Sequence, residues 1–249
     1  MIIYDNERLD RVNDSLTLIQ KPDGLTFGTD ALLLSGYISG KYSNGTELGG
    51  GSGIISMLLL TRDKVSTCTA YEIQKEYAEL ISRNAEYNSL SERLTAICAD
   101  IRELPAKEEC DIVFTNPPYM KSTSGKSNAS DKKAIARHEV FGSISDFAKA
   151  AGRLLKFGGA FYAVYRPDRL ADIVCAMREC GIEPKRMTFV HADTDAEASM
   201  VLIEGKRGGK SGMQLTKPLI IYKDKSHKEY RDEMNYIMEN GSFPPEYKR

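Results

Sequence analysis

A polar amide, two prolines and an aromatic ring, Asn116-Pro117-Pro118-Tyr119, stand directly after the apolar run Asp111-Ile112-Val113-Phe114. The run reads as a buried strand, and the prolines cannot extend its ladder because they carry no N–H. What such a corner can do is accept. The Asn116 side-chain oxygen offers one acceptor. The Pro117 carbonyl offers a second, its direction set by a ring that holds φ at about −65° and by the restriction that Pro118 places on the residue before it. Two fixed acceptors match the two N–H groups of a planar primary amine. Hydrogen bonds to both draw the nitrogen towards a tetrahedral shape and aim its delocalised lone pair at an electrophile. Tyr119 can stack on the flat group that carries the amine. Placement and preorganised acceptors supply the rate, so no catalytic histidine is needed, and the chain has only His138, His191 and His227.

Isolated, such a tetrapeptide is more often a plain loop; its meaning comes from the elements around it. From about residue 46 to about 204, strand and helix patterns alternate. "TELGGGSGIISMLLL" reads as strand, glycine turn and helix, "VSTCTAYEI" as a strand, "QKEYAELISRNAEYN" as a helix, and "LTAICAD" and "CDIVFTN" as strands. "ISDFAKAAGRLL" and "RLADIVCAMREC" have helical spacing on either side of the strand "FGGAFYAVY". Such alternation predicts a parallel sheet covered on both faces. The strands "KRMTFVHA" and "ASMVLIEGKRG" follow one another with no helix between them, which predicts an antiparallel edge. Residues 1–45 predict a small hairpin with a turn at Pro22-Asp23-Gly24 and a short apolar helix. Residues 205–249 hold a basic glycine-rich loop, a short strand "PLIIY" and a polar helix.

Gly49, Gly51 and Gly53 in "ELGGGSG" lie between a strand and a helix, where glycines let the backbone turn sharply and a ligand approach it closely. Glu72 ends the next strand about twenty residues on, the place of a ribose-binding carboxylate in dinucleotide folds. Asp100 ends the third strand. All of these fall at the carboxyl edge of the sheet, where open α/β sheets bind ligands. The spacing is G-x-G-x-G and not the dinucleotide G-x-G-x-x-G, and Glu47 just before it would repel a pyrophosphate. A carboxylate there suits a cationic ligand with an ammonium group, which points to S-adenosylmethionine.

The formal net charge of −1 gives no global attraction to nucleic acid, so any such binding must use local basic patches. Cys68, Cys98, Cys110, Cys175 and Cys180 show no C-x-x-C spacing and read as free thiols of a reducing compartment, with the first three in or beside apolar runs. The histidines have no metal-like spacing, and no metal is expected. The apolar stretches are too short to span a bilayer and no signal core follows the N-terminus, so the expected location is the cytoplasm, with no membrane partner.

In this order, "ELGGGSG", Glu72, Asp100 and "NPPY" resemble the class I S-adenosylmethionine-dependent methyltransferases of the amino-group type. The resemblance implies a Rossmann-like α/β fold: a seven-stranded sheet with helices on both faces and an antiparallel last strand. It implies that Gly49, Gly51 and Gly53 line the methionine part of the cofactor, that Glu72 holds the ribose hydroxyls and that Asp100 holds the adenine amino group. The chain is read as a single methyltransferase domain over 1–249, with an N-terminal extension (1–45), a core (46–204) and a C-terminal extension (205–249).

The corner by itself does not choose between an adenine base and a protein glutamine. "GLTFGTDALLLSGYI", "ARHEVFGSISDFAKAAGRLLKFGGAFYAVYRPDRL" and "HADTDAEASMVLIEGKRGGKSGMQLTKPLIIY" resemble the bacterial tRNA(Val) adenine-N6 methyltransferases. That likeness implies Asp30 beside the cofactor and methylation of the adenine next to the anticodon, with tRNA as partner. A protein glutamine-N5 methyltransferase and a ribosomal-RNA guanine-N2 methyltransferase remain the alternatives. Lys121, Lys126, Lys132, Lys133 and Arg137 after the corner, with His138 just beyond, and Lys206, Arg207 and Lys210 further on are the candidate RNA contacts. Both clusters are expected near the ligand edge of the sheet.

Overall fold

Strands that are apolar at nearly every position have no face to turn to water, so they settle in the middle of a sheet covered on both sides. A computed structural model describes residues 3–21, 28–117 and 142–248. A hairpin, β1 (Arg8–Asn13) and β2 (Leu16–Gln20), and helix α1 (Thr29–Tyr37) lead into the alternating part of the chain. There follow β3 (Tyr42–Leu48), α2 (Ile54–Thr61), β4 (Val65–Glu72), α3 (Lys75–Tyr87), β5 (Leu94–Cys98) and β6 (Cys110–Thr115). After these come α4 (Ile144–Leu154), β7 (Leu155–Tyr165), α5 (Leu170–Glu179), β8 (Ile182–His191) and β9 (Ala198–Arg207). Two short strands, β10 (Gln214–Leu215) and β11 (Leu219–Ile220), and helix α6 (Asp232–Asn240) close the chain.

The strand order is β10-β8-β9-β7-β6-β3-β4-β5, with β11 also on β8. Strands β3 to β7 are parallel, and β9 runs antiparallel between β7 and β8. The seven expected strands with their reversed last member are therefore present. Two short strands, both parallel to β8, widen the sheet to nine. Successive β6 residues feed opposite cores: Ile112 and Phe114 pack on the α1, α2 and α6 side, Val113 on the α4 and α5 side. That period-two split is the reason a fully apolar strand is needed there. Helix α4 begins with a reciprocal cap, Ser143 and Asp146 each bonding the other's backbone N–H.

The described hairpin lies upstream of the turn expected from the sequence. Its two strands meet at Asp14-Ser15, where the Asn13 side chain accepts from Ser15 N at 2.9 Å and so builds the corner itself. Pro22, Asp23 and Gly24 lie outside the described residues. Among the described residues, the open edge of β2 is paired by amides and not by another strand. Asn84 exchanges hydrogen bonds with both backbone groups of Ile19 (2.7 and 3.1 Å), and Asn88, one helical turn on, does so with Thr17 (3.0 and 2.7 Å). β3 also starts earlier than expected, at Tyr42. The cysteines are free thiols, but Cys98 is exposed and not buried.

Arg186 of β8 is 0% exposed and joins the two ends of the chain to the sheet. It donates to Tyr37 O of α1 at 2.8 Å, to Tyr247 O near the C-terminus at 2.7 Å and to Glu204 of β9 at 2.8 Å, with its guanidinium over the Tyr37 ring. Lys64 adds bonds to the α1 carbonyls of Ser35 (2.7 Å) and to Ile38 O just beyond (2.6 Å). Removing one partner of a buried pair strands the other, so Arg186→Ala should lower the unfolding free energy by ~3–5 kcal/mol. Urea unfolding measures this, and a loss below ~1 kcal/mol would mean that the ends are held by apolar packing alone.

Candidate functional site

The strand order turns back at β3, whose neighbours are β4 on one side and β6 on the other, and crevices for ligands form at such points. Leu48 and Thr115, the last residues of β3 and β6, are in register, and the Thr115 hydroxyl donates to Leu48 O at 2.8 Å. This pairing sets Gly49 and Asn116, the next residue of each chain segment, side by side.

Gly49, Gly51 and Gly53 adopt φ values of +73°, +55° and +80°, a region that favours glycine. A Cβ on Gly51 would meet nothing within 4 Å among the described residues, so this side of the loop is open to close approach. The loop is clamped from β4: Gly49 N donates to Tyr71 O at 2.9 Å, and Gly51 N donates to Glu72 Oε2 at 3.0 Å. Glu72 Oε1 accepts from Gln74 N at 2.9 Å, which fixes the carboxylate between the glycine loop and the start of α3. Each oxygen retains a second lone pair for a ligand hydroxyl. Asp100 lies two residues past β5. It accepts from Arg102 N and Nε, both at 2.9 Å, and the Arg102 guanidinium holds its carboxyl below the usual range.

Glu47 is placed otherwise than expected. It is 1% exposed and accepts from Ser56 N at 3.1 Å and from the Ser56 hydroxyl. Burial pushes its carboxyl up to about 8. It ties β3 to α2 beneath the glycine loop and does not stand open at the sheet edge, because β3 is covered on both faces here and Glu47 falls on the face that packs against Ser56 of α2.

On the far side of Asn116, the Asn116 Nδ2 donates to Asp30 Oδ2 of α1 at 2.8 Å. Asp30 also lines a cleft of about 1000 Å³, together with Thr29, Tyr165–Asp168 at the end of β7 and Glu197–Met200 at the start of β9. Within it, Arg166 is paired with Asp168 at 2.6 Å. Sequence reading missed this cleft. Its signal was the second strand-ending proline, Pro167 in "YRPDR", which follows β7 as Pro117 follows β6.

The structure thus brings Asp30, Gly49, Gly51, Gly53, Glu72, Asn116 and Pro117 to one edge, with Asp100 after the neighbouring strand β5. Pro118, Tyr119, Lys121, Lys126, Lys132, Lys133, Arg137 and His138 lie outside the described residues. Lys206, Arg207 and Lys210 are a correction. Arg207 is in register with Ile182, the first residue of β8, while Val201 is in register with Tyr165 at the end of β7. Because β9 is antiparallel, its last residues and the loop after them lie at the amino edge, away from Asn116. Arg207 there pairs with Glu108 at 2.6 Å.

A family model described as methyltransferase small domain matches residues 23–171. A tRNA1(Val) (adenine(37)-N6)-methyltransferase of Dyadobacter fermentans is 25% identical over 178 residues, 71% of this chain and 73% of that protein. Among solved structures, one described as a predicted O-methyltransferase from Agrobacterium tumefaciens superposes with a TM-score of 0.69 at 22% identity, covering 86% of this chain and 98% of that one. M. jannaschii TYW2, solved with AdoMet, superposes with a TM-score of 0.56 at 13% identity, covering 83% and 88%.

Glu47 generates a pH dependence whose sign follows from its raised value. The folded chain holds this proton more tightly than the unfolded chain, so the stabilisation is fully present below the ordinary value of 4.5 and is lost as pH rises through about 8. Glu47→Gln keeps an acceptor for Ser56 and has no proton to lose. Relative to that variant, the parent should lose stability with rising pH by at most ~1.4 kcal/mol per pH unit across this window. Urea midpoints of the two proteins at several pH values measure the difference, and parallel curves would show that Glu47 does not titrate there.

Proposed function

Because the chain belongs to the methyltransferase small domain family, we propose that it methylates an exocyclic amine with S-adenosylmethionine, and that this amine is N6 of the adenine next to the anticodon of a tRNA. The observation that carries the reading is the junction of β3 and β6. There the glycine loop and the Asn116-Pro117 corner stand side by side at the ends of paired strands, and a cleft opens past Asp30. The names of the relatives favour adenine over glutamine and guanine as the carrier of the amine.

The glycine loop fits the cofactor: its open face at Gly51 admits close approach, and Glu72 offers lone pairs to ribose hydroxyls. The Asp100 carboxylate, on the neighbouring strand end, is the candidate for the adenine amino group. Bound S-adenosylmethionine supplies an electrophilic sulfonium methyl. The Asn116 side-chain oxygen and the Pro117 carbonyl accept from the two N–H groups of the target amine and localise its lone pair. By its restriction on the residue before it, Pro118 would fix that carbonyl, and Tyr119 would stack on the base. The N–C bond would form as the sulfonium S–C bond breaks, with S-adenosylhomocysteine leaving as the neutral thioether, and the methylated nitrogen would release one proton to solvent. RNA phosphates would meet the basic residues of 121–137, and the enzyme would work in the cytoplasm.

Incubation with radiolabelled cofactor and total tRNA, followed by nucleoside analysis, should give N6-methyladenosine. Label in protein, or in N2-methylguanosine, would overturn the choice of substrate. Asn116→Ala should lower kcat by ~100-fold or more while leaving S-adenosylhomocysteine affinity within about threefold by calorimetry; near-parental turnover would remove Asn116 from the mechanism.

A further inference from the structure

Both carboxylate oxygens of Asp30 have assigned donors. Oδ1 accepts from Ala31 N at 2.9 Å, and Oδ2 accepts from Asn116 Nδ2 at 2.8 Å. An ionised carboxylate only accepts, so the end of the Asn116 amide that faces it is the NH2 group, and the amide oxygen is turned the other way.

We propose that Asp30 is a positioning residue that sets the polarity of the Asn116 amide, so that its oxygen and not its nitrogen meets the target amine. This rests on the reading of Asn116 as an amine acceptor given above. An amide turned end for end would set N–H against N–H and leave the lone pair of the target nitrogen delocalised. The bond to an anion also polarises the amide and makes its oxygen the better acceptor.

The position demands Asp and not its isostere. Two donors, one from the backbone and one from Asn116, need two acceptor ends. Asparagine has one. If its oxygen kept Ala31 N–H, its NH2 would face Asn116 and invert that amide. The surroundings hold the carboxylate in place. It sits in the first turn of α1, where the helix dipole favours an anion, and the other end of α1 is held by Arg186 and Lys64. Gly28 lies against it: a Cβ there would stand 2.8 Å from Asp30 Oδ1.

The test compares the parent with Asp30→Asn, Gly28→Ala and the swap Asp30→Asn with Asn116→Asp. In the swap, the new amide on α1 would donate to the new carboxylate after β6, and the second oxygen of that carboxylate would be presented to the amine. Readouts are kcat and KM with tRNA, S-adenosylhomocysteine affinity and thermal midpoint. D30N should lose ~100-fold or more in kcat with cofactor affinity and midpoint near parental values, G28A part of that, and the swap should recover at least ~10-fold over D30N. A D30N protein within about threefold of the parent in kcat, a defect confined to cofactor affinity, or a swap no faster than D30N overturns the proposal. Absence of transfer to tRNA by the parent would instead sink the proposed function. In that event the side-chain NH2 signals of Asn116 in protein labelled with ¹⁵N-asparagine, identified by their loss in N116A, still decide. Slow exchange in the parent that becomes fast in Asp30→Ala supports the assignment, and unchanged exchange overturns it.

Discussion

The parallel pairing of β3 with β6 is the constraint on which the site depends. These strands are separated in sequence by two further strands and two helices, yet their last residues, Leu48 and Thr115, are in register and tied by a side-chain bond. A slip of one residue would turn every side chain of β6 to the wrong core and would also part the glycine loop from the acceptor corner. The alternate packing of Ile112, Val113 and Phe114 into two cores therefore does more than stabilise the sheet: it sets the position of Asn116 to within one residue.

The chain termini serve the same end. The hairpin edge is paired by Asn84 and Asn88 of α3, and Asn84 also donates to Ser52 O in the glycine loop at 3.1 Å. The loop is thus held from the hairpin side as well as by Glu72. At the other end, Arg186 gathers α1, β9 and the C-terminal turn. Desolvating a guanidinium is costly and is offset here by three acceptors and an aromatic face.

Much of this was legible in the sequence because it is local. Strand–helix alternation gave the parallel sheet, the helix-free pair "KRMTFVHA" and "ASMVLIEGKRG" gave the reversed strand, and the glycine loop, Glu72, Asp100 and Asn116 fell at strand ends that periodicity reveals. What was not legible depends on direction or depth. The turn at Asp14-Ser15 was missed because a side chain of Asn13 makes it without glycine or proline. Glu47 was assigned to a ligand by its charge and its place beside the glycines, whereas the helix that covers this face of β3 buries it against Ser56. Lys206, Arg207 and Lys210 were put at the ligand edge although the reversed strand, already expected, carries them to the other. The pairing of Asp30 with Asn116 links residues far apart in sequence and has no local signature.

The reversal of β9 also divides the carboxyl edge by the kind of connection that forms it. The cofactor half rests on turns between strand and helix that are packed and clamped. The cleft half takes one wall from Glu197–Met200, where the hairpin turn after β8 runs into β9. Hairpin turns tolerate changes in length and composition at little entropic cost. Relatives with this architecture can therefore reshape one margin of the cleft, at Glu197, by altering that turn, while the glycine loop stays as it is.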